Sequence, residues 1–387
     1  MDLTYSEQEI AFRAEVRAWM AEHVPEEPLP SFDASREGFD AHRAWEAVLN
    51  EGRWGMVTWP EEFGGRGLDL IRWLIFEEEY YAARAPLRVN QNGIFLLGPT
   101  LMEFGTEAQK ARFLPKMATG EEIWAQAWSE PQAGSDLAAV RAKAVRDGDD
   151  YVLSGHKIWS SRAVYADWAF GLFRTDPESE RHRGLSLILF DLNSPGVVRQ
   201  PIHQINGEHG FAELILEDVR VPAENIVGAE GQGWKICMAT AGFERGLMLR
   251  SPARYQVAAG ALARLAHSRG DALDPVLRAR VADAAMNAEA YALSIYATAS
   301  RLEAGGKIGA EASTNKIFWS EMDIALHETA LDILGDRAEL LPDAPGAQDA
   351  GTWLDGYLFA LAGPIYAGTN EIQRNIIAER MLGLPRG

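Results

Sequence analysis

The chain has 387 residues, 47% of them apolar and 10% aromatic, enough to build two or three folded domains with large cores. Its 37 basic and 56 acidic residues leave a net charge of −19, which repels phosphate backbones and anionic headgroups and excludes nucleic acid and acidic membranes as partners. A single cysteine, Cys237, excludes an internal disulfide and a cysteine-based metal cluster and fits a reducing cytoplasm. Met1 to Glu7 carry no basic start or apolar run, and no stretch approaches the roughly 20 apolar residues of a membrane span, so neither an export signal nor a transmembrane helix is expected.

From Ser6 to Gly120 apolar residues recur at three and four, the helical period. Ser6 with Glu9 forms a capping box, a further helix is expected over Arg72 to Ala83, and another starts at Thr106 with Gln109 three residues on. From Glu122 to Val227 the pattern changes to short β-rich runs. Ala142 to Val145 and Tyr151 to Leu153 flank the hairpin signal Asp147-Gly148, and strands are expected at Trp168 to Thr175, Leu185 to Asp191 and Phe211 to Leu216. After Gly231-Gln232-Gly233 the helical period returns: Ile236, Ala239, Phe243 and Leu247 share one face, and Val257, Ala261 and Leu265 share another. Leu340 to Thr352, rich in Pro, Gly and Asp, is expected to be a surface loop.

The junctions hold the distinctive residues. Trp124-Ala125-Gln126-Ala127-Trp128-Ser129-Glu130-Pro131-Gln132-Ala133-Gly134-Ser135-Asp136-Leu137 opens the β-rich third. Gly134 permits close backbone approach, and Ser129 and Ser135 offer donors to an electron-rich ring edge, although a Pro-Gln-Ala-Gly turn alone is more often just a turn. In Gly155-His156-Lys157-Ile158-Trp159-Ser160-Ser161, an isolated strand tryptophan would ordinarily be core. Ile365-Tyr366-Ala367-Gly368-Thr369-Asn370-Glu371-Ile372-Gln373-Arg374 offers Asn370 with Gln373 as the N-cap of a last helix, Glu371 to Leu382, whose free N–H groups suit an electron-rich partner. His156, His203 and His209 lack metal-site spacing, so no metal is expected, and Gly228 to Gly233 lacks the βαβ setting of a dinucleotide loop.

Together these segments resemble the acyl-CoA dehydrogenase family, and the likeness covers nearly the whole chain, including Gly105 to Lys110 and Leu114-Pro115-Lys116. The resemblance implies an α+β multidomain fold: an N-terminal helical domain (1–121), a middle β-barrel or sandwich domain (122–228) and a C-terminal four-helix-bundle domain (229–387). It implies FAD as cofactor, held by Gln126, Trp128, Ser129, Gly134, Ser135, Trp159, Ser161, Thr369 and Glu371. It also implies an acyl-CoA substrate contacted by Ser135, Phe243, Tyr366 and Ala367, in a pocket loosely shaped by Phe95, Leu96 and Leu247.

Many members of the family read Tyr-Glu-Gly-Thr at this last segment, and that glutamate removes the α-proton of the thioester; here the position is Ala367. A methyl group accepts no proton, but the Ala367 N–H can still polarise a thioester carbonyl. Some relatives, isovaleryl-CoA dehydrogenase among them, carry the base just before an arginine on another helix, which falls on Glu244 with Arg245 as electrostatic support. The simpler reading of Glu244 is a solvated helix residue. In an apolar pocket its pKa would rise toward neutrality, as reversible proton transfer requires. Two flavin segments depart from the family pattern, at His267-Ser268-Arg269-Gly270-Asp271 and Asp332-Ile333-Leu334-Gly335-Asp336, which puts the grip on the ADP half in question. The function implied is α,β-dehydrogenation of a branched, cyclic or bulky acyl-CoA, with electrons passed to electron-transferring flavoprotein. The alternatives are a flavin monooxygenase or desulfinase, or a non-catalytic subunit of a hetero-oligomer. The assembly is expected to be a homodimer or tetramer, or a pair with a related subunit.

Overall fold

The computed structural model describes residues 4–244, 251–341 and 344–385. Five helices come first: α1 (Glu7–His23), α2 (Arg36–Glu51), α3 (Leu70–Ala82), α4 (Gly98–Phe104) and α5 (Glu107–Ala118). Eight strands follow: β1 (Trp124–Ala127), β2 (Lys143–Asp147), β3 (Asp150–Ser161), β4 (Trp168–Arg174), β5 (Leu185–Asp191), β6 (Val197–Ile202), β7 (Phe211–Pro222) and β8 (Ile226–Val227). The last helices are α6 (Gly233–Glu244), α7 (Pro252–Ser268), α8 (Pro275–Glu303), α9 (Ala312–Leu334), α10 (Gln348–Ala360) and α11 (Asn370–Ile376). The fold is thus helical, then β, then helical, as the resemblance implies.

The chain divides into two compact units. One comprises His23–Leu68 and Pro86–Glu244, so α2, α4, α5 and α6 share a unit with the sheet. Its strands run β6-β7-β3-β2-β4-β5-β8, with β1 parallel to β4. The hairpin of β2 and β3 turns at Gly148, whose φ of +62° is the left-handed conformation that glycine adopts without cost. Ala212, Leu214 and Leu216 of β7 alternate inward with Leu153 and Phe173, while β5 is buried along nearly its whole length. Helices are tied to this sheet by polar contacts: Arg43 Nη2 meets Asp167 at 2.9 Å, and Gln109 Nε2 donates to the Glu224 and Ile226 carbonyls at 2.7 Å each.

The other unit comprises Met1–Glu22, Asp69–Ala85 and Arg245–Gly387. Here α7, α8 and α9 pack against one another, α10 packs on α9, and α3 lies against α7 and α8. Arg13 and Arg17 of α1 both bind the buried carboxylate of Glu79, at 2.9 and 2.8 Å. Asp332 of α9 pairs with Arg280 at 2.5 Å, which leaves its charge compensated.

Two of the three expected caps form: Ser6 exchanges hydrogen bonds with Glu9, and Thr106 with Gln109. Three expectations are corrected. The last helix is capped by Thr369, whose hydroxyl accepts from Ile372 N at 3.3 Å, because Asn370 is drawn into buried hydrogen bonds; its α-helical part runs to Ile376 and continues as a π-helical turn from Ile377 to Met381, close to the expected end. Residues 340–352 are not wholly loop, since α10 starts at Gln348. In α7 the buried stripe is Tyr255, Ala259, Leu262 and Ala266, whereas Val257 is exposed; the aromatic anchors the helix and the smaller valine faces out. Strands β1, β6 and β8 escaped the sequence reading, being short or polar.

Candidate functional site

The first group of site residues lies on the sheet and the loop following β1. Strand β3 is irregular: its pairing with β7 slips between Leu153 and Gly155 and again between Lys157 and Ser160. A side chain on Gly155 would come 2.4 Å from Ala142 Cβ, so only glycine permits the first slip. Inside the second, Trp159 adopts φ +58° and stands 56% exposed, its ring edge-on to Phe211 at 5.9 Å. A bulge re-aims side chains in this way. Trp159 thus departs from the core placement usual for an isolated strand tryptophan.

The bulged strand also holds the loop. Ile158 N donates to Ser129 O at 2.9 Å, and Lys157 Nζ donates to Trp128 O at 3.3 Å, to Leu172 O at 2.6 Å and to Glu130 Oε1 at 2.8 Å. Lys157 is wholly buried. Glu130 in turn accepts from Arg141 N at 2.7 Å, Ala142 N at 2.8 Å and Gln132 Nε2 at 2.6 Å. Burial alone would raise the Glu130 carboxyl, but Lys157 and these N–H groups hold it below the ordinary glutamate range. Glu130 and Ala133 exchange backbone hydrogen bonds at 3.0 and 2.9 Å, closing the Pro131-Gln132 turn, and Gly134 and Ser135 lie exposed beyond it.

The donors of this surface are largely unspent. The side chains of Gln126, Ser129, Ser135 and Ser161 have no hydrogen-bond partner among the described residues, and the buried Trp128 Nε1 is likewise unpaired. An exposed indole beside unspent hydroxyl, amide and indole donors fits a flat, acceptor-rich ring such as a flavin.

Helix α6 belongs to the same unit. Its first residue, Gly233, sits where an added Cβ would meet the Ser186 backbone at 2.6 Å, and Thr240 bonds Thr100 of α4 at 2.8 Å. Glu244, the expected base, is the last residue of α6. The side chains of Glu244 and Phe243, and all of Arg245 and Leu247, lie outside the described residues. Phe95 and Leu96 are buried, on a π-helical turn from Asn92 to Leu97.

The second group lies in the helical unit, on the turn before α11. Ala367 has φ +56° and Gly368 φ +83°, an uncommon pair of left-handed residues. The turn is fastened from behind. Gln373 Nε2 donates to the carbonyls of Ala367 and Gly368 at 3.3 and 3.1 Å, and Asn370 N to Pro364 O at 2.8 Å. Asn370 is buried, accepting from Lys316 Nζ at 2.7 Å and donating to Ser320 Oγ at 3.1 Å. Tyr366 stacks on Trp319 with centroids 5.8 Å apart. The N–H groups of Ala367 and Gly368 have no acceptor among the described residues. Glu371 is exposed beside Arg374 at 3.7 Å, its carboxyl lowered by the backbone N–H at the helix start and by Thr369.

Reading motifs alone gave no role to Glu130 and Lys316 and placed Gln373 only in the helix cap, not as the donor that holds the turn. The available signal was a charged residue, Lys157, in a run otherwise suited to a buried strand. Among the described residues no cluster of His, Cys, Asp or Glu could hold a metal ion, and no helix is long and apolar enough to cross a membrane.

Known proteins share this arrangement. The models for the acyl-CoA dehydrogenase N-terminal, middle and C-terminal domains match residues 6–121, 125–219 and 231–382. Acyl-CoA dehydrogenase IpdE1 of Mycobacterium tuberculosis is 42% identical over 381 residues, covering 97% of each chain. The chain belongs to the acyl-CoA dehydrogenase family. It is therefore a flavin-dependent oxidoreductase with this family's three-part fold. Acyl-CoA dehydrogenase FadE26 of Mycobacterium tuberculosis is 34% identical, with 100% of this chain and 99% of the relative covered. Among solved structures, the Tcur3481-Tcur3483 steroid ACAD superposes with a TM-score of 0.90 at 30% identity. The ChsE4-ChsE5 complex of Mycobacterium tuberculosis superposes with 0.87 at 33% identity, and in both cases all of each chain is covered. Each of these two structures is a complex of two named chains.

Proposed function

We propose that this acyl-CoA dehydrogenase has moved its base from the turn before α11 to Glu244 at the end of α6. In this reading it oxidises a bulky, ring-bearing acyl-CoA as one subunit of a hetero-oligomer. The observation that carries the reading is the turn itself, which keeps its free Ala367 N–H but has no carboxylate at that position. A backbone N–H aimed at a thioester carbonyl stabilises the enolate-like charge that develops as the α-proton leaves. Glu244 takes that proton, and the α,β double bond forms as the β-hydrogen departs with its electron pair. Arg245 supports the site electrostatically. FAD, bound at Gln126, Trp128, Ser129, Gly134, Ser135, Trp159 and Ser161, supplies the hydride acceptor. Thr369 and Glu371 contribute to its binding from the helical unit, and Ser135, Phe243, Tyr366 and Ala367 contact the substrate.

Ala367 leaves the volume of a glutamate side chain for the acyl group, which favours a bulky substrate, and the likeness to a steroid ACAD points the same way. The two-chain complexes among its structural relatives support a hetero-oligomer over a homo-oligomer. Electron-transferring flavoprotein is the proposed electron acceptor. The test is Glu244→Gln in the protein co-purified with its partner. The variant should keep its yellow flavin and bind thioester, while anaerobic bleaching by substrate slows by at least about 100-fold, the scale of general-base catalysis. Bleaching at the unaltered rate would instead place the chemistry elsewhere or make this chain the non-catalytic subunit.

A further inference from the structure

Within the helical unit, one cation lies close to the Ala367 turn without being fully used. Arg254 of α7 donates Nη2 to Asp323 Oδ2 of α9 at 3.1 Å, and this is its one hydrogen bond among the described residues. Its guanidinium is flanked by the rings of Tyr255 and Phe359, 5.5 and 5.3 Å from Cζ. Phe359 in turn packs on Tyr366, the neighbour of Ala367, with centroids 6.3 Å apart. The Arg254 side chain keeps 26% of its surface exposed, against 2% for Asp323, and Phe359 is 49% exposed. The open edge of the guanidinium and the open face of the phenylalanine are thus adjacent.

Arginine–carboxylate pairs frequently use two parallel N–H groups of the guanidinium fork. Here a single N–H is engaged, and an arginine has five. Asp323 already balances the charge, so the unspent donors call for an acceptor oxygen and not necessarily for a second full anion. Aromatic rings on both sides, one of them the half-exposed Phe359, suit an apolar body carrying that oxygen. Resting on the dehydrogenase reading above, we propose that Arg254 is a specificity residue. It receives a carbonyl or carboxylate oxygen at the far end of the acyl group whose thioester is held at Ala367. The substrate class is then an oxygenated, ring-bearing acyl-CoA, not a plain hydrocarbon chain.

Three matched thioesters test this: 4-cyclohexylbutanoyl-CoA, its 4-oxocyclohexyl analogue and its 4-carboxycyclohexyl analogue. Their affinities are measured by calorimetry on the flavin-loaded complex. The unaltered protein should bind the oxo or the carboxy probe about 10- to 100-fold more tightly than the plain one, the range of hydrogen bonds to a charged group. Whichever probe gains identifies the oxygen. Arg254→Met alone takes the arginine from the buried Asp323, which keeps His327 Nδ1 at 3.2 Å, so the double variant Arg254→Met with Asp323→Asn accompanies it. This variant should lose the preference and keep its affinity for 4-cyclohexylbutanoyl-CoA within about threefold, which a merely structural role would not produce. Equal affinity for all three probes in the unaltered protein, or an equal loss on all three in the double variant, overturns the inference. Those outcomes leave the dehydrogenase reading intact, because that reading is judged by flavin bleaching in Glu244→Gln.

Discussion

Replacing Lys157 by methionine isolates what the buried charge pair contributes. Lys157 is 0% exposed and the Glu130 side chain 3%, so removal of the ammonium leaves a carboxylate that water cannot reach. Three other donors remain on that carboxylate: the N–H groups of Arg141 and Ala142 and the amide of Gln132. The carbonyls of Trp128 and Leu172 lose the same donor at once. Breaking a buried pair from one side typically costs about 3–5 kcal/mol, against about 1–3 kcal/mol for stranding a neutral polar group. The upper part of the first range is expected, since a charge and two carbonyls are affected together. For a chain of 387 residues, melting followed by circular dichroism should fall by roughly 5 °C. The double variant Lys157→Met with Glu130→Gln removes both charges and should recover more than half of that loss, giving a coupling of at least about 2 kcal/mol in the four-protein cycle. The double variant should still bind flavin more weakly than the unaltered protein, because the Trp128 carbonyl has lost the tie that sets the loop. A cost below about 1 kcal/mol for the single change, or additive effects, would refute the reasoning.

Acid should act through the same pair: Glu130 has a folded pKa below its ordinary value of 4.5, so its stabilisation is present above that value and is lost as pH falls through the lower folded one. Urea midpoints should therefore decline below about pH 4.5, and less steeply in Glu130→Gln. Ala367→Gly relieves a left-handed alanine and should change stability by no more than a gain of about 1 kcal/mol, whereas the β-branched Ala367→Val should lose about 1–2 kcal/mol; thermal melts compare the two. Thr369→Ala removes the cap of α11 and should cost about 1 kcal/mol by denaturant titration.

Periodicity made the order of elements readable, because helical and strand periods differ and the turn residues between them have distinct backbone needs. Asp147-Gly148 marked its hairpin, and Ser6 and Thr106 marked their helix starts. Tertiary competition hid the rest. Asn370 is a good cap in isolation, but Lys316 and Ser320 offer it buried partners and Thr369 takes the cap instead. Trp159 would be core in a regular strand, and only the slip in pairing with β7 turns it outward. Motif resemblance located the loop and the turn, whereas their anchors Glu130, Lys157 and Gln373 emerge only from contacts distant in sequence.

The turn before α11 owes its shape to side chains behind it and not to the residue at its apex. Gln373, Asn370, Lys316 and Ser320 determine the path of the backbone from the covered side. Position 367 therefore makes no demand on its own side chain beyond tolerating a left-handed conformation. Scaffold and reagent are uncoupled at this point: a lineage can exchange the group displayed there, or surrender it, without rebuilding the support. Such an arrangement lets the side chain at the apex change while the backbone path of the turn stays as it is.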